Sequence, residues 1–90
     1  MSYKVELGPV AASDVAAIPS QLRRHVYQGL DALGSHPTRM SKSISSPSNV
    51  GQLYEFSFVY DDMECWVSSI FQYGVDEQTL YILHVRWEMA

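Results

Sequence analysis

The 90-residue chain is poor in the features that announce a function. It has one cysteine, Cys65, so an intrachain disulfide is excluded and a reducing compartment is expected, with the thiol read as a buried spectator. No apolar run approaches the roughly 18 residues that a spanning helix requires. The amino terminus, Met-Ser-Tyr-Lys-Val-Glu-Leu, lacks the apolar core of a signal peptide, which places the expectation in the cytoplasm with no membrane partner. His25, His36 and His84 lack metal-ligand spacing, so no metal and no cofactor is expected. A Gly-rich phosphate loop and a nucleophile elbow are also missing. Positive charge is scarce. Six Lys and Arg stand against ten Asp and Glu, a net charge of −4, so any nucleic-acid function must rest on a local patch.

What remains is a single domain, residues 1–90, without repeats, low-complexity tail or internal boundary. Tyr3, Val5 and Leu7 alternate with Lys4 and Glu6, the period of a strand with one buried face, and Gly8-Pro9 ends it. An Ala-rich helix follows from Val10 to Ile18 and is closed by Pro19, with Ser13 and Asp14 read as capping residues. Ser20 is the candidate N-cap of a second helix. Its apolar residues Leu22, Val26, Leu30 and Leu33 fall on one face, Gly34 is its stop, and His36-Pro37 prevents continuation. The Ser-rich stretch Thr38 to Gly51 reads as a long loop.

Three strand-like runs complete the chain. In Leu53 to Tyr60 every even position is aromatic, so one face is strongly apolar. Asp61-Asp62 makes a turn, Cys65 to Tyr73 forms the next run, and Gly74 to Gln78 the next turn. Leu80 to Trp87 is almost continuously apolar, which predicts a central strand covered on both faces. The fold class expected is α+β, in the order β-α-α-β-β-β, with an antiparallel sheet and two helices on one face.

That order resembles the small toxins of the RelE/ParE superfamily. The first half carries it in Tyr3-Lys4-Val5-Glu6-Leu7-Gly8-Pro9-Val10-Ala11, Asp14-Val15, Ile18-Pro19, the Leu22/Val26/Leu30/Leu33 face and His36-Pro37. In the second half, Gly51-Gln52-Leu53-Tyr54-Glu55-Phe56 is similar to the Leu-Tyr-Glu-Leu-Arg strand opening of HigB-like members, and Leu80-Tyr81-Ile82-Leu83-His84-Val85-Arg86 to the last strand. The resemblance implies a toxin of a type II toxin–antitoxin module, partnered by a cognate antitoxin. Ribonuclease members cut messenger RNA on the ribosome with basic side chains on the sheet, and gyrase-directed members act on a topoisomerase. Two expected arginines are missing: Ser57 follows Glu55-Phe56, and Cys65-Trp66-Val67 replaces a basic pair.

The candidate site therefore rests on few residues. His84 and Arg86, two apart in a strand, share a face and are the catalytic candidates, as acid and phosphate ligand. Arg39 and Lys42 in the loop are the candidate RNA- and phosphate-binding cations. Tyr54, Trp66, Tyr73, Tyr81 and Trp87 are candidate antitoxin anchors if exposed. The bland reading makes His84 a sheet residue and Arg86 a solvated strand end. Arg23-Arg24-His25 reads as a solvated helical face, with RNA or an acidic partner as the alternative. The competing functional reading is a binding module that keeps the fold without the chemistry, with a homodimer through the sheet edge.

Overall fold

The computed structural model describes residues 3–35, 41–46 and 49–89, and only the backbone of residues 41–46, 49 and 50. The chain runs β1 (Lys4–Leu7), α1 (Pro9–Ala16), α2 (Ser20–Ser35), β2 (Ser41–Ser46), β3 (Asn49–Tyr60), β4 (Met63–Tyr73) and β5 (Thr79–Met89). The five strands form one sheet in the order β1-β5-β4-β3-β2. The expected α+β class holds, with one strand more than the expected β-α-α-β-β-β order. The sheet is antiparallel except at one edge, where β1 runs parallel to β5.

The Ser-rich stretch expected as a loop contains β2. Serine has little preference for strands, so local sequence does not announce it. The pairing of Ser41–Ser46 with Asn49–Tyr54 makes the strand. His36, Pro37, Arg39, Pro47 and Ser48 lie outside the described residues. The β3–β4 connection is the tight turn read from Asp61-Asp62. Both residues sit at positive φ, 52° and 62°, the backbone of a two-residue type I′ hairpin that Asp tolerates better than most residues. At the β4–β5 turn, Asp76 Oδ1 accepts hydrogen bonds from the Gln78 and Thr79 amides, and Oδ2 accepts one from the Thr79 hydroxyl. These bonds hold the Asp76 carboxyl below its ordinary pKa.

The helices cover one face of the sheet. Leu22, Val26, Leu30 and Leu33 of α2, with Ala11 and Val15 of α1 and Ile18 between the helices, are buried against Tyr54, Val67, Phe71, Leu80, Ile82 and Val85. Two glycines let α2 approach. The Phe56 ring occupies the space a Cβ on Gly29 would fill. Gly34, read as the helix stop, instead lies inside the last turn, where an added Cβ would stand 2.6 Å from the Tyr3 carbonyl oxygen. Tyr3 N–H donates to the Gly34 carbonyl at 2.7 Å, tying β1 to the end of α2. Ser20 is the first residue of α2 rather than its cap, a shift within the usual uncertainty of helix ends.

Strand β5 is interior, between β1 and β4, but only one of its faces is covered. One extra residue shapes it. In the β4–β5 ladder Ile70 faces His84 while Phe71 faces Ile82, so Leu83 has no partner and forms a β-bulge. Before the bulge the even residues Leu80 and Ile82 point into the core; after it the odd residue Val85 does. Past Leu7 the β1 edge of β5 has no strand beside it. There the Val85 N–H donates to Asp14 Oδ2 at 3.0 Å, across 71 residues of sequence. Asp14, expected to cap its own helix, instead satisfies a sheet amide beside the bulge.

Two substitutions test this arrangement. Asp14→Ala leaves the Val85 amide without its partner and is expected to lower stability by about 1–2 kcal/mol, read as a lower urea midpoint at unchanged slope. Gly34→Ala gains about 1 kcal/mol of helix propensity, yet is expected to be net destabilising because the new methyl meets backbone. An unchanged midpoint for the first variant, or a raised one for the second, contradicts the packing described.

Candidate functional site on the open face of the sheet

The face opposite the helices is covered by no described element. Because side chains alternate along a strand, register alone sorts its residues into rows across β3, β4 and β5. One row is Leu53–Ile70–His84, the next Glu55–Ser68–Arg86, the third Ser57–Trp66–Glu88. Leu83 decides the third member of each. Had β5 alternated without a bulge, residues 84 and 86 would follow Leu80 and Ile82 into the core, where a charged guanidinium is costly to bury. With the bulge, His84 and Arg86 are exposed and neighbouring, roughly 7 Å apart along the strand.

Both line a depression of about 510 Å³, together with Leu53, Ser68 and Ile70. It continues into a second, of about 430 Å³, lined by Glu55, Trp66, Ser68, Arg86, Trp87 and Glu88. The Ser68 hydroxyl donates to Glu55 Oε2 at 3.3 Å, so the carboxylate is held toward the line between the two depressions. Among the described residues, neither the His84 nor the Arg86 side chain takes a hydrogen bond or an ion pair. Both are free to meet a ligand. Glu55 and Ser68 were not singled out from the sequence; the signal available was the matching parity of Glu55 and Ser57 on a strand whose even face is aromatic.

The other candidates separate. Lys42 pairs with Leu53 on the backbone and so heads the row that ends at His84, roughly 14 Å away across three strand spacings. Arg39 lies outside the described residues. Arg86 is the one Lys or Arg in β3, β4 and β5. The helical run is largely committed elsewhere. Arg23 Nε and Nη2 donate to the Ile18 and Ala16 carbonyls at 2.8 and 2.7 Å, where a cation also suits the carboxyl end of α1. His25 stacks on Phe58 with centroids 4.8 Å apart, and Arg24 is exposed.

The five aromatic anchor candidates divide by face. Trp66 and Tyr81 are on the open face, 47% and 37% exposed. Tyr54 is corrected to a core residue: it is 2% exposed, its hydroxyl donates to the Gly29 carbonyl at 2.8 Å, and burial raises its pKa. Its even position in β3 aligns it with Phe56, Phe58 and Tyr60 toward the helices. Tyr73 packs edge-on against Tyr3 and Phe71 on that same face, and Trp87 is half-buried there. Cys65 is buried and free. Among the described residues, no group of three or more His, Cys, Asp or Glu is placed to hold a metal ion, and no helix is long and apolar enough to cross a membrane.

No protein-family model matches the sequence, and no curated protein matches it. Solved structures do match. A chain of the toxin–antitoxin complex RelBE2 from Mycobacterium tuberculosis superposes with a TM-score of 0.80 at 16% identity, covering 98% of this chain and 93% of that one. A double arginine-to-alanine mutant of the Escherichia coli toxin RelE in the free state gives 0.64 at 14% identity, over 94% and 82%. The archaeal RelE–RelB complex from Pyrococcus horikoshii gives 0.55 at 14%, over 96% and 94%. The domain is thus a small α+β sheet with two helices on one side and an open face on the other. Its fold is that of the RelE toxins, as the order of its elements implied.

A matched pair of hydroxyl deletions separates the two classes of tyrosine. Tyr54→Phe is expected to cost about 1 kcal/mol, and Tyr81→Phe to stay within about 0.5 kcal/mol, by urea unfolding. Equal effects would return Tyr54 to the surface.

Proposed function

We propose that this chain is the toxin component of a toxin–antitoxin pair in the cytoplasm, and that it acts through the open face around His84 and Arg86. The observation that carries the reading is the convergence of these two side chains, unpaired among the described residues, in one depression of a RelE-type sheet. Two of the similar structures are complexes with antitoxins, which supports an antitoxin partner here.

The finer reading is cleavage of ribosome-bound mRNA. The 2′-hydroxyl of a nucleotide attacks the adjacent phosphorus while its proton passes to a base. The bond from phosphorus to the 5′-oxygen breaks, and that oxygen takes a proton from an acid, leaving a 2′,3′-cyclic phosphate and a free 5′-hydroxyl. The open face offers one group for each task. Glu55, held by Ser68, is the carboxylate base; His84 in its imidazolium form is the acid; Arg86 pairs with the non-bridging oxygens as negative charge develops. Lys42, in the row of His84, and Arg39 are the added cations for the RNA backbone.

A second reading has its own observation. With Ser57 where an arginine was expected and Cys65-Trp66-Val67 in place of a basic pair, Arg86 is the sole Lys or Arg on three strands that also carry the exposed Glu55, Glu64 and Glu88. That composition favours a non-catalytic binding module with the fold retained, dimeric through a sheet edge.

Inducible expression in a bacterial host, with growth followed and 5′ ends of mRNA sequenced, separates the readings. Wild type is expected to arrest growth with new ends inside translated codons, and Arg86→Ala to restore growth. The variant's urea midpoint is expected to stay within about 0.5 kcal/mol of wild type, because an exposed cation contributes little to stability. Arrest without new ends moves the target away from mRNA, toward a topoisomerase or another protein. Normal growth with wild type supports the binding module.

A further inference from the structure

The open face changes character toward the β3–β4 hairpin. At the His84 end its lining is Leu53, Ser68, Ile70, His84 and Arg86, with Arg86 its one Lys or Arg. At the hairpin end it is apolar and anionic. Val59, 69% exposed, and Trp66 lie on this face with Glu64 and Glu88, and Asp61 and Asp62 form the tip. The register places Glu88 directly across from Trp66, and Glu64 across from Val59 and two residues before Trp66. Among the described residues the one salt bridge is Lys4–Glu6, at the far edge of the sheet. Among the described residues the carboxylates at the hairpin end therefore form no ion pair, and Arg86, two residues before Glu88 on the same face, is the one cation lining the depression they share, against Glu55 and Glu88 there and Glu64, Asp61 and Asp62 beyond it.

We propose that this end of the open face docks an extended, arginine-bearing segment of a partner protein. Charge complementarity sets the occupant's sign. Spacing sets its form: an extended chain presents alternate side chains roughly 7 Å apart, the separation of successive same-face residues such as Glu64 and Trp66. A guanidinium between Trp66 and Glu88 stacks on the indole and pairs with the carboxylate, a combination that favours arginine over lysine. The depression beside Trp66 is shallow and open, suited to side chains of a docked strand rather than to an engulfed small molecule. A phosphate backbone would meet Glu64, Glu88, Asp61 and Asp62 with like charge. Naming this partner as the antitoxin rests on the toxin reading; the docking itself does not.

The test is fluorescence anisotropy of a labelled ten-residue peptide alternating arginine and threonine, titrated with the full chain. The same measurement is made with a glutamate–threonine peptide, a single-stranded RNA of equal length, and the Glu64→Lys/Glu88→Lys variant. Both substituted residues are exposed, so unfolding midpoints are expected to remain close to wild type. The arginine peptide is expected to bind, to quench tryptophan emission, to weaken at about 0.15 M salt, and to bind the reversed-charge variant about tenfold or more less tightly. The glutamate peptide should not bind wild type. Equal affinity for wild type and the reversed-charge variant overturns the proposal, as does absence of binding. RNA binding that is stronger than peptide binding and improves in the variant also overturns it, by showing that the face serves nucleic acid. Growth arrest is read separately, so a chain that binds the peptide without arresting growth keeps the docking face and loses only the toxin reading.

Discussion

The structure turns on one unpaired residue. Leu83 breaks the alternation of β5, and the placement of His84, Arg86 and Glu88 on the open face follows from that break. Before it, Leu80 and Ile82 complete the core. After it, Val85 takes over the inward position, and His84 and Arg86 face solvent. A bulge spends a residue on neither ladder and leaves amides to be satisfied. Here α1 supplies what the sheet lacks. Asp14 receives the Val85 N–H at the point where β1 has already ended, so a helix side chain replaces the missing strand. Core packing and the exposure of His84 and Arg86 are therefore coupled through a contact that belongs to neither.

The same break explains how one face holds two electrostatic characters. His84 and Arg86 occupy the rows of Leu53 and Ile70 and of Glu55 and Ser68, whereas Trp66 and Glu88 occupy the row toward the hairpin. With a net charge of −4 and one cation on three strands, the sheet does not attract polyanions over its whole surface. Any phosphate must be held by Arg86, with Arg39 and the β2 residue Lys42 as further candidates. The hairpin end instead carries the carboxylates of Glu64, Glu88, Asp61 and Asp62, so the two ends of the face differ in the sign of the charge they present.

Much of this was legible in the chain. The spacing of Leu22, Val26, Leu30 and Leu33 identified the buried face of α2, and all four are in the core. Asp61-Asp62 marked the hairpin. His84 and Arg86 were correctly read as sharing a face, because both follow the bulge and two-residue spacing survives it. The bulge was hidden for a specific reason: Leu80 to Leu83 is so uniformly apolar that a shift of parity within it leaves no mark in the pattern. For the same reason β5 read as covered on both faces. Strand β2 was missed because serines carry no strand signal and the pairing partner makes the strand. Tyr54 was misassigned although its even position already grouped it with Phe56 and Phe58. The Asp14–Val85 bond spans too much sequence for any local rule to find it.

The parity break can be measured directly. In a Cys65→Ser background, single cysteines placed at Ile82, His84, Val85 and Arg86 report exposure through their rate of alkylation by a maleimide under native conditions. Cysteines at 84 and 86 are expected to react freely, and those at 82 and 85 only through unfolding. If 82, 84 and 86 are protected together while 85 reacts, β5 alternates without interruption, His84 and Arg86 face the core, and the open face loses the groups on which its function is argued.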